Sequence, residues 1–382
     1  MTTPIYLDHL ASTPLDPLVL DAMLPWFSPA AVGNPQAAHR PGWRAADAVE
    51  AARAEVAALI GAPPGAVLFT SGATEANTLA LLGGAAPGAA CLVSAVEHAS
   101  VLGCLPELRR RGCPVTILPV DSDGRLAPAT LETALGTALE TAQRRPPGPA
   151  LVSVMAANNE VGTLQPLAEL AAVARARGAL IHSDATQAAG GGGLSMDGLG
   201  LDFLSLSGHK LGGPMGIGAL AARDGAALRP PSAGGGQQRG LRPGTLPTAL
   251  CVGLGAACRL ARDRATEDTR RIAGLRERLW FYLSAALPGL RRNGAADGLP
   301  GCLSVTLPGL DAADLLLGLP DLALSTGSAC HSDAAEPSHV LLAMGRSVEE
   351  AHATLRFGLG RTTTADEVER AAARLIAAIL AD

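Results

Sequence analysis

A single lysine stands among the basic residues of this chain. Of 30 in 382 residues, 29 are arginine and one is Lys210, in the run Leu206-Ser207-Gly208-His209-Lys210. Arginine stays protonated and is a poor nucleophile, whereas lysine can be desolvated, lose its proton and form an imine with a carbonyl. A lysine kept where arginine is used everywhere else points to that chemistry. Biased base usage explains the count equally well, so the neighbours in sequence must decide.

Five strand-like segments end in groups that react or anchor: Thr70 to Thr74, Glu97-His98, Asn158-Asn159, Asp184 to Gln187, and Ser207 to Lys210. In open α/β sheets, ligands bind beyond the carboxyl ends of the strands. Thr70-Ser71-Gly72-Ala73-Thr74 reads as a strand–loop–helix junction whose backbone N–H groups can hold a phosphate. A carboxylate at Asp184 can pair with a protonated pyridine nitrogen. A lysine, a phosphate cradle and such a carboxylate are the protein's share of pyridoxal phosphate chemistry. Singly, each reads as well as a capping threonine, a turn aspartate or a packed histidine. Around a unique lysine they read as one cofactor site.

Alternating strands and helices must position these groups, which predicts an α/β protein with a largely parallel sheet. Strands are expected at Val67–Phe69, Ala90–Val93, Leu151–Met155, Ala179–Ser183, Phe203–Leu206 and Ile217–Ala221. Helices are expected at Ala73–Leu82, Ser100–Arg111 and Leu167–Arg177, the last closing at Gly178. From about residue 250 the texture changes to long alanine-rich helices, Ala249–Leu283 and Thr364–Leu380. They flank two short strands near Cys302–Leu307 and Leu322–Ser325. The expected division is a large domain at 15–250 and a small one formed by 1–14 with 251–382.

Composition excludes other classes. The hydrophobic fraction is 48% and the charged fraction 17%, as in a well-buried globular protein. A net charge of −5 and 3% aromatics argue against nucleic acid or an anionic membrane as partner. No basic, then apolar, leader is visible, and no apolar run reaches the ~18 residues that span a bilayer; the expected location is the cytoplasm. Seven cysteines without C-x-x-C pairing suggest neither a disulfide framework nor a metal site. Cys330 alone sits in a polar, turn-prone setting, Ser325-Thr326-Gly327-Ser328-Ala329-Cys330-His331-Ser332-Asp333. That composition, with Pro337 following, predicts a mobile segment at about 329–336.

Ser71-Gly72-Ala73-Thr74-Glu75, Val96-Glu97-His98, Asn158-Asn159-Glu160-Val161-Gly162, Asp184-Ala185-Thr186-Gln187 and Ser207-Gly208-His209-Lys210 resemble the motifs of cysteine desulfurases. These belong to the class V aminotransferase group of fold-type I pyridoxal-phosphate enzymes. The likeness continues through Gly234-Gly235-Gly236-Gln237, Arg242-Pro243-Gly244-Thr245, Gly327-Ser328-Ala329-Cys330 and Leu355-Arg356-Phe357, from about Tyr6 to about residue 375. Gln238, Pro243 and Met215 depart from the Glu, Ser and Lys more usual there.

The resemblance implies a mainly parallel seven-stranded sheet in the large domain and a smaller α+β C-terminal domain. It implies that Lys210 holds pyridoxal 5'-phosphate through an imine, Asp184 keeps the ring nitrogen protonated, and His98 stacks on the ring and shuttles a proton. Gln187 and Asn159 would meet the ring hydroxyl. Ala73, Thr74, Ser207 and His209 would bind the phosphate, with Thr245 added from the other subunit of a homodimer. Arg356, Asn34 and Asn159 would bind the substrate L-cysteine, its carboxylate clamped by Arg356 and Asn34. Cys330 would take the sulfur as a persulfide and pass it to an acceptor protein, for iron–sulfur cluster or thio-cofactor assembly. The segment around Cys330 together with Arg242-Pro243-Gly244-Thr245 is also similar to selenocysteine lyases, which release selenide and alanine.

Overall fold

The computed structural model describes residues 4–142, 148–224, 226–230, 232–326 and 336–381. Thirteen strands lie among them, numbered here in chain order. They are β1 Ile5–Tyr6, β2 Val67–Thr70, β3 Cys91–Ser94, β4 Val115–Leu118, β5 Leu151–Ser153, β6 Leu180–Asp184 and β7 Phe203–Ser207, then β8 Gly218–Ala222, β9 Arg291–Asn293, β10 Cys302–Thr306, β11 Leu322–Ala323, β12 Ser325–Thr326 and β13 Thr354–Gly358.

Seven strands form the large sheet in the order β2-β8-β7-β6-β5-β3-β4. Only β8 runs against the rest, pairing antiparallel with both β2 and β7. Most strands of this sheet are buried along their whole length, as expected where helices cover both faces. From β3 the chain steps outward to β4, then returns to place β5 on the other side of β3. That reversal opens a crevice at the carboxyl ends of β3 and β5, the expected place for a ligand.

A second, antiparallel sheet runs β12-β13-β10-β9, and β1 pairs with β11. One hydrophobic cluster fills the space around the large sheet, including Phe69, Leu92, Val152 and Leu204. Another, including Leu303, Phe357, Val368 and Leu375, packs against the small sheet. The 39-residue helix Thr248–Ala286, about 58 Å long at 1.5 Å per residue, belongs to both. Cys251, Leu254 and Cys258 enter the first cluster, and Leu279 and Leu283 the second. The boundary expected at 250 falls just inside this helix. Among the described residues no helix is long and apolar enough to cross a membrane.

Several local expectations need correction. The single helix expected at 100–111 is two, Ala99–Leu102 and Leu105–Arg110. Pro106 lacks the N–H that continuation requires and starts a new helix instead. The strand expected at 322–325 divides at Leu324 because its halves have different partners, β1 for β11 and β13 for β12. The small sheet has β9 and β13 as well as the expected pair. The helix Arg40–Ile60 and strand β4 went unread, the latter because only Leu118 of its four residues is buried.

Candidate active site

The carboxyl ends of β2, β3, β5, β6 and β7 open on one cavity of about 670 Å³. Ala73, Thr74, His98, Asn159, Asp184, Gln187, Ser207, His209, Lys210 and Arg356 all line it. Residues far apart in sequence meet here because parallel strands end on the same side of the sheet.

Lys210 closes a one-turn 3-10 helix directly after β7. Its Nζ donates to the carbonyls of Leu10 and Ala11, in the N-terminal segment that crosses the cavity. Burial pushes its pKa down to about 8 and Arg356 adds to the effect, while Asp8 and Asp184 oppose it. A lysine so placed is substantially neutral just above neutral pH, the state a nucleophile and base requires. Cofactor attachment to cofactor-free protein is therefore expected to accelerate from pH 6 to about 8 and then level off. An ordinary lysine with a pKa of ~10.4 would keep gaining about tenfold per pH unit through pH 9. Absorbance-monitored uptake of pyridoxal phosphate across that range checks it.

Asp184 ends β6 and is buried. Its Oδ1 accepts the Thr186 N–H at 2.9 Å and its Oδ2 accepts Asn77 Nδ2 at 2.7 Å. At the other end of the cavity, Gly72 caps the helix Ala73–Gly84 without offering a side-chain acceptor to its first amides. Ser207 lies beside this junction, and a Cβ on Gly72 would come within 3.8 Å of its Oγ. His209 reaches Ser12 Oγ at 3.3 Å. Burial first, then Lys210, lowers the His209 pKa to about 4, so it stays neutral. Free helix-start amides, a serine and an imidazole fit a phosphate; the buried carboxylate fits a protonated ring nitrogen; the depressed lysine fits a carbonyl. Pyridoxal 5'-phosphate fits this set.

Arg356, on β13, is buried and donates in three directions: to Asp8 Oδ1 at 2.9 Å, to Ser325 Oγ at 2.9 Å and to the Asn159 carbonyl at 3.1 Å. Its Nε is buried without a partner. Such a guanidinium is already oriented and retains an unspent donor for a carboxylate. Gln187 Nε2 donates to the Leu10 carbonyl at 2.9 Å. Glu97, beside His98, is fully buried, and burial pushes its carboxyl up to about 8 despite the Met155 N–H it accepts.

Two expected site residues do not reach this cavity within one chain. Asn34 is exposed, and its Oδ1 accepts the Gln36 N–H. Thr245 is also exposed. Its loop is nevertheless tied to the phosphate end of the site. Arg242 forms a two-pronged ion pair with Glu75 at 2.8 and 3.1 Å, and Glu75 accepts the Ser71 N–H. The Gln238 amide both accepts from Phe69 N–H and donates to Phe69 C=O, at 2.7 and 2.8 Å. It thereby covers the open edge of β2 as a strand would, which a carboxylate in its place could not do without a proton. Gln238 and Arg239 adopt left-handed backbone (φ 48° and 65°) to make this turn.

Cys330 and the expected mobile segment lie outside the described residues, apart from Glu336. The other six cysteines are all buried. Burial pushes the thiols of Cys91, Cys251 and Cys302 up to about 12. None of those three offers a thiolate at neutral pH. Sequence reading missed Asp8, Ser12, Ser325, Asn77 and Ser100. For Asp8, Ser12, Ser325 and Asn77 the spacing carries no signal, because each acts through a partner that only the fold brings near; Ser100, two residues from its partner His98, reads in sequence only as the start of a helix.

Residues 5–371 match the family described as aminotransferase class-V. The chain belongs to the class-V aminotransferase family. Its members depend on pyridoxal phosphate, in accord with the donor set of the cavity. A cysteine desulfurase of Mus musculus is 42% identical over 381 residues, covering 98% of this chain and 81% of that protein. A NifS-like protein from Rickettsia africae superposes with a TM-score of 0.88 at 30% identity, over 98% of this chain and 99% of that one. A structure described as SspA in complex with cysteine gives a TM-score of 0.80 at 35% identity, over 94% and 99% of the two chains. Agreement extends through both sheets, so this class-V chain has the fold-type I architecture of its relatives.

Proposed function

We propose that this chain is a cysteine desulfurase that converts L-cysteine to L-alanine in the cavity around Lys210, with the sulfur taken by Cys330. The observation that carries the reading is the only lysine, with its depressed pKa, in one cavity with Asp184 and Arg356. The mouse relative is named for cysteine, so release of selenide from selenocysteine is not the favoured activity.

When bound, pyridoxal phosphate supplies a carbonyl for the amines and an electron sink for the substrate Cα. Ala73, Thr74, Ser207 and His209 hold its phosphate, Asp184 its ring nitrogen, and Gln187 and Asn159 its hydroxyl. Arg356 binds the substrate carboxylate, releasing part of its bonding to Asp8 and Ser325. Lys210 removes the Cα proton as a neutral amine. The Cys330 thiolate then attacks the substrate sulfur. The new S–S bond forms as the Cβ–S bond breaks, leaving its electron pair on Cβ, which takes a proton to become a methyl group; return of the proton held by Lys210 to Cα then completes alanine.

Asn34 and Thr245 complete the site from a second copy in a homodimer. Large apolar side chains exposed between residues 18 and 43 support this: Phe27 is 64%, Val32 72% and Trp43 57% exposed. The division into 15–250 and 1–14 with 251–382, action in the cytoplasm and delivery to an acceptor protein belong to the same proposal.

Cysteine and selenocysteine supplied separately test the reading. Alanine and sulfide in equal amounts from cysteine, with reductant present, are expected. Alanine from selenocysteine alone would replace it with the lyase reading. Specific activity is also expected to fall on dilution in step with dimer dissociation, measured by light scattering. A fully active monomer would remove Thr245 from the site.

A further inference from the structure

A hydrogen-bonded chain outside the cavity lining joins His98 to Asp184. Asn77, on the helix Ala73–Gly84, is completely buried, and its Nδ2 donates twice: to Asp184 Oδ2 at 2.7 Å and to Ser100 Oγ at 2.8 Å. Ser100 Oγ lies 2.8 Å from His98 Nδ1, and the Ser100 backbone N–H donates to the same Nδ1 at 3.1 Å. Direction along this chain is fixed by the donor inventory. A carboxylate only accepts, so the Asn77 amide must turn its nitrogen to Asp184. Its Oδ1 is left buried without a partner, the cost of that orientation. Ser100 Oγ accepts from Asn77, and its own proton is then free to point at His98. A backbone N–H cannot reverse. His98 Nδ1 therefore receives two donors and carries no proton, which leaves the ring proton on Nε2.

We infer that Asn77 and Ser100 are positioning residues that hold His98 as the neutral Nε2–H tautomer while fixing Asp184 from behind, so that His98 presents a hydrogen-bond donor to the bound ligand. Accepting a proton at Nδ1 would set it against the Ser100 backbone N–H and force the serine hydroxyl to turn its own proton away. Burial also lowers the His98 pKa, with Asp184 opposing and Lys210 and His339 assisting. One amide thus sets both the group proposed to stack on the ring and the group proposed to meet its nitrogen. The inference rests on the proposed placement of that ring between His98 and Asp184.

Nitrogen-15 NMR of the full-length chain, labelled at histidine, tests it with and without pyridoxal phosphate. The His98 resonance, one of eight, is assigned by its loss in His98→Gln. An unprotonated Nδ1 and a protonated Nε2 are expected in the wild type at pH 7. Ser100→Ala removes the hydroxyl donor, and Asn77→Leu frees the serine proton to turn elsewhere. In both, the Nδ1 signal is expected to shift toward the protonated position, with circular dichroism unchanged. An Nδ1–H tautomer or an imidazolium in the wild type would overturn the inference. So would an Nδ1 signal unmoved in both variants. Failure of the cofactor reading shows separately, as no absorbance change when pyridoxal phosphate is added.

Discussion

Lys210→Ala is expected to abolish desulfuration, with a loss of at least about 10⁴-fold. A general base alone contributes roughly 10² to 10⁴-fold, and in the proposed mechanism this amine also anchors the cofactor covalently, so both contributions are expected to vanish together. No neighbour can stand in, since every other basic side chain of the lysine or arginine type in the chain is arginine. Ala73, Thr74, Ser207 and His209 remain, so the variant should still bind pyridoxal phosphate, with altered absorbance. Deletion also removes a partly buried cation whose Nζ is bonded only to the Leu10 and Ala11 carbonyls among the contacts described. Fold stability, followed by thermal melting, should therefore change little or rise. Alanine production within tenfold of wild type would take Lys210 out of the mechanism.

Cys330→Ser should abolish sulfide release from cysteine while leaving cofactor absorbance unchanged. A serine hydroxyl does not ionise at neutral pH and cannot form the S–S bond that draws sulfur from Cβ. The described cysteines do not offer a replacement, being buried. Cysteine should still bind and perturb the absorbance, because Arg356 and Lys210 are intact. Mass spectrometry of the wild type after one turnover should find an added sulfur atom on the peptide containing Cys330, absent from the variant. Sulfide released by Cys330→Ser at the wild-type rate would make Cys330 an ordinary thiol and remove the persulfide step.

Much of the site was legible before folding, and for a definite reason. Lys210, Asp184, His98 and Thr74 each follow a short apolar run, and a parallel sheet sends the ends of such runs to one side. The order of groups along the chain therefore already implied their meeting. The N-terminal segment was different. Asp8 and Ser12 lie beside β1, two residues long, and nothing in their spacing says that Leu10 and Ala11 will cross the cavity to meet Lys210. Asn77 offered no sign either, because its face of the helix Ala73–Gly84 reads as core.

By itself, then, the sequence determined which chemical groups were available and that alternating strands and helices would present most of them together. Period and composition are local properties, and local properties select elements. Tertiary structure alone decided the electrostatic state of those groups. Burial lowered Lys210 to about 8 and raised Glu97 to about 8, because desolvation depends on what packs around a charge. It also decided direction: the tautomer of His98, the aim of Arg356, and the exposure of Asn34 and Thr245 away from their own chain's cavity. Such properties depend on distances between residues far apart in sequence, which no local pattern records.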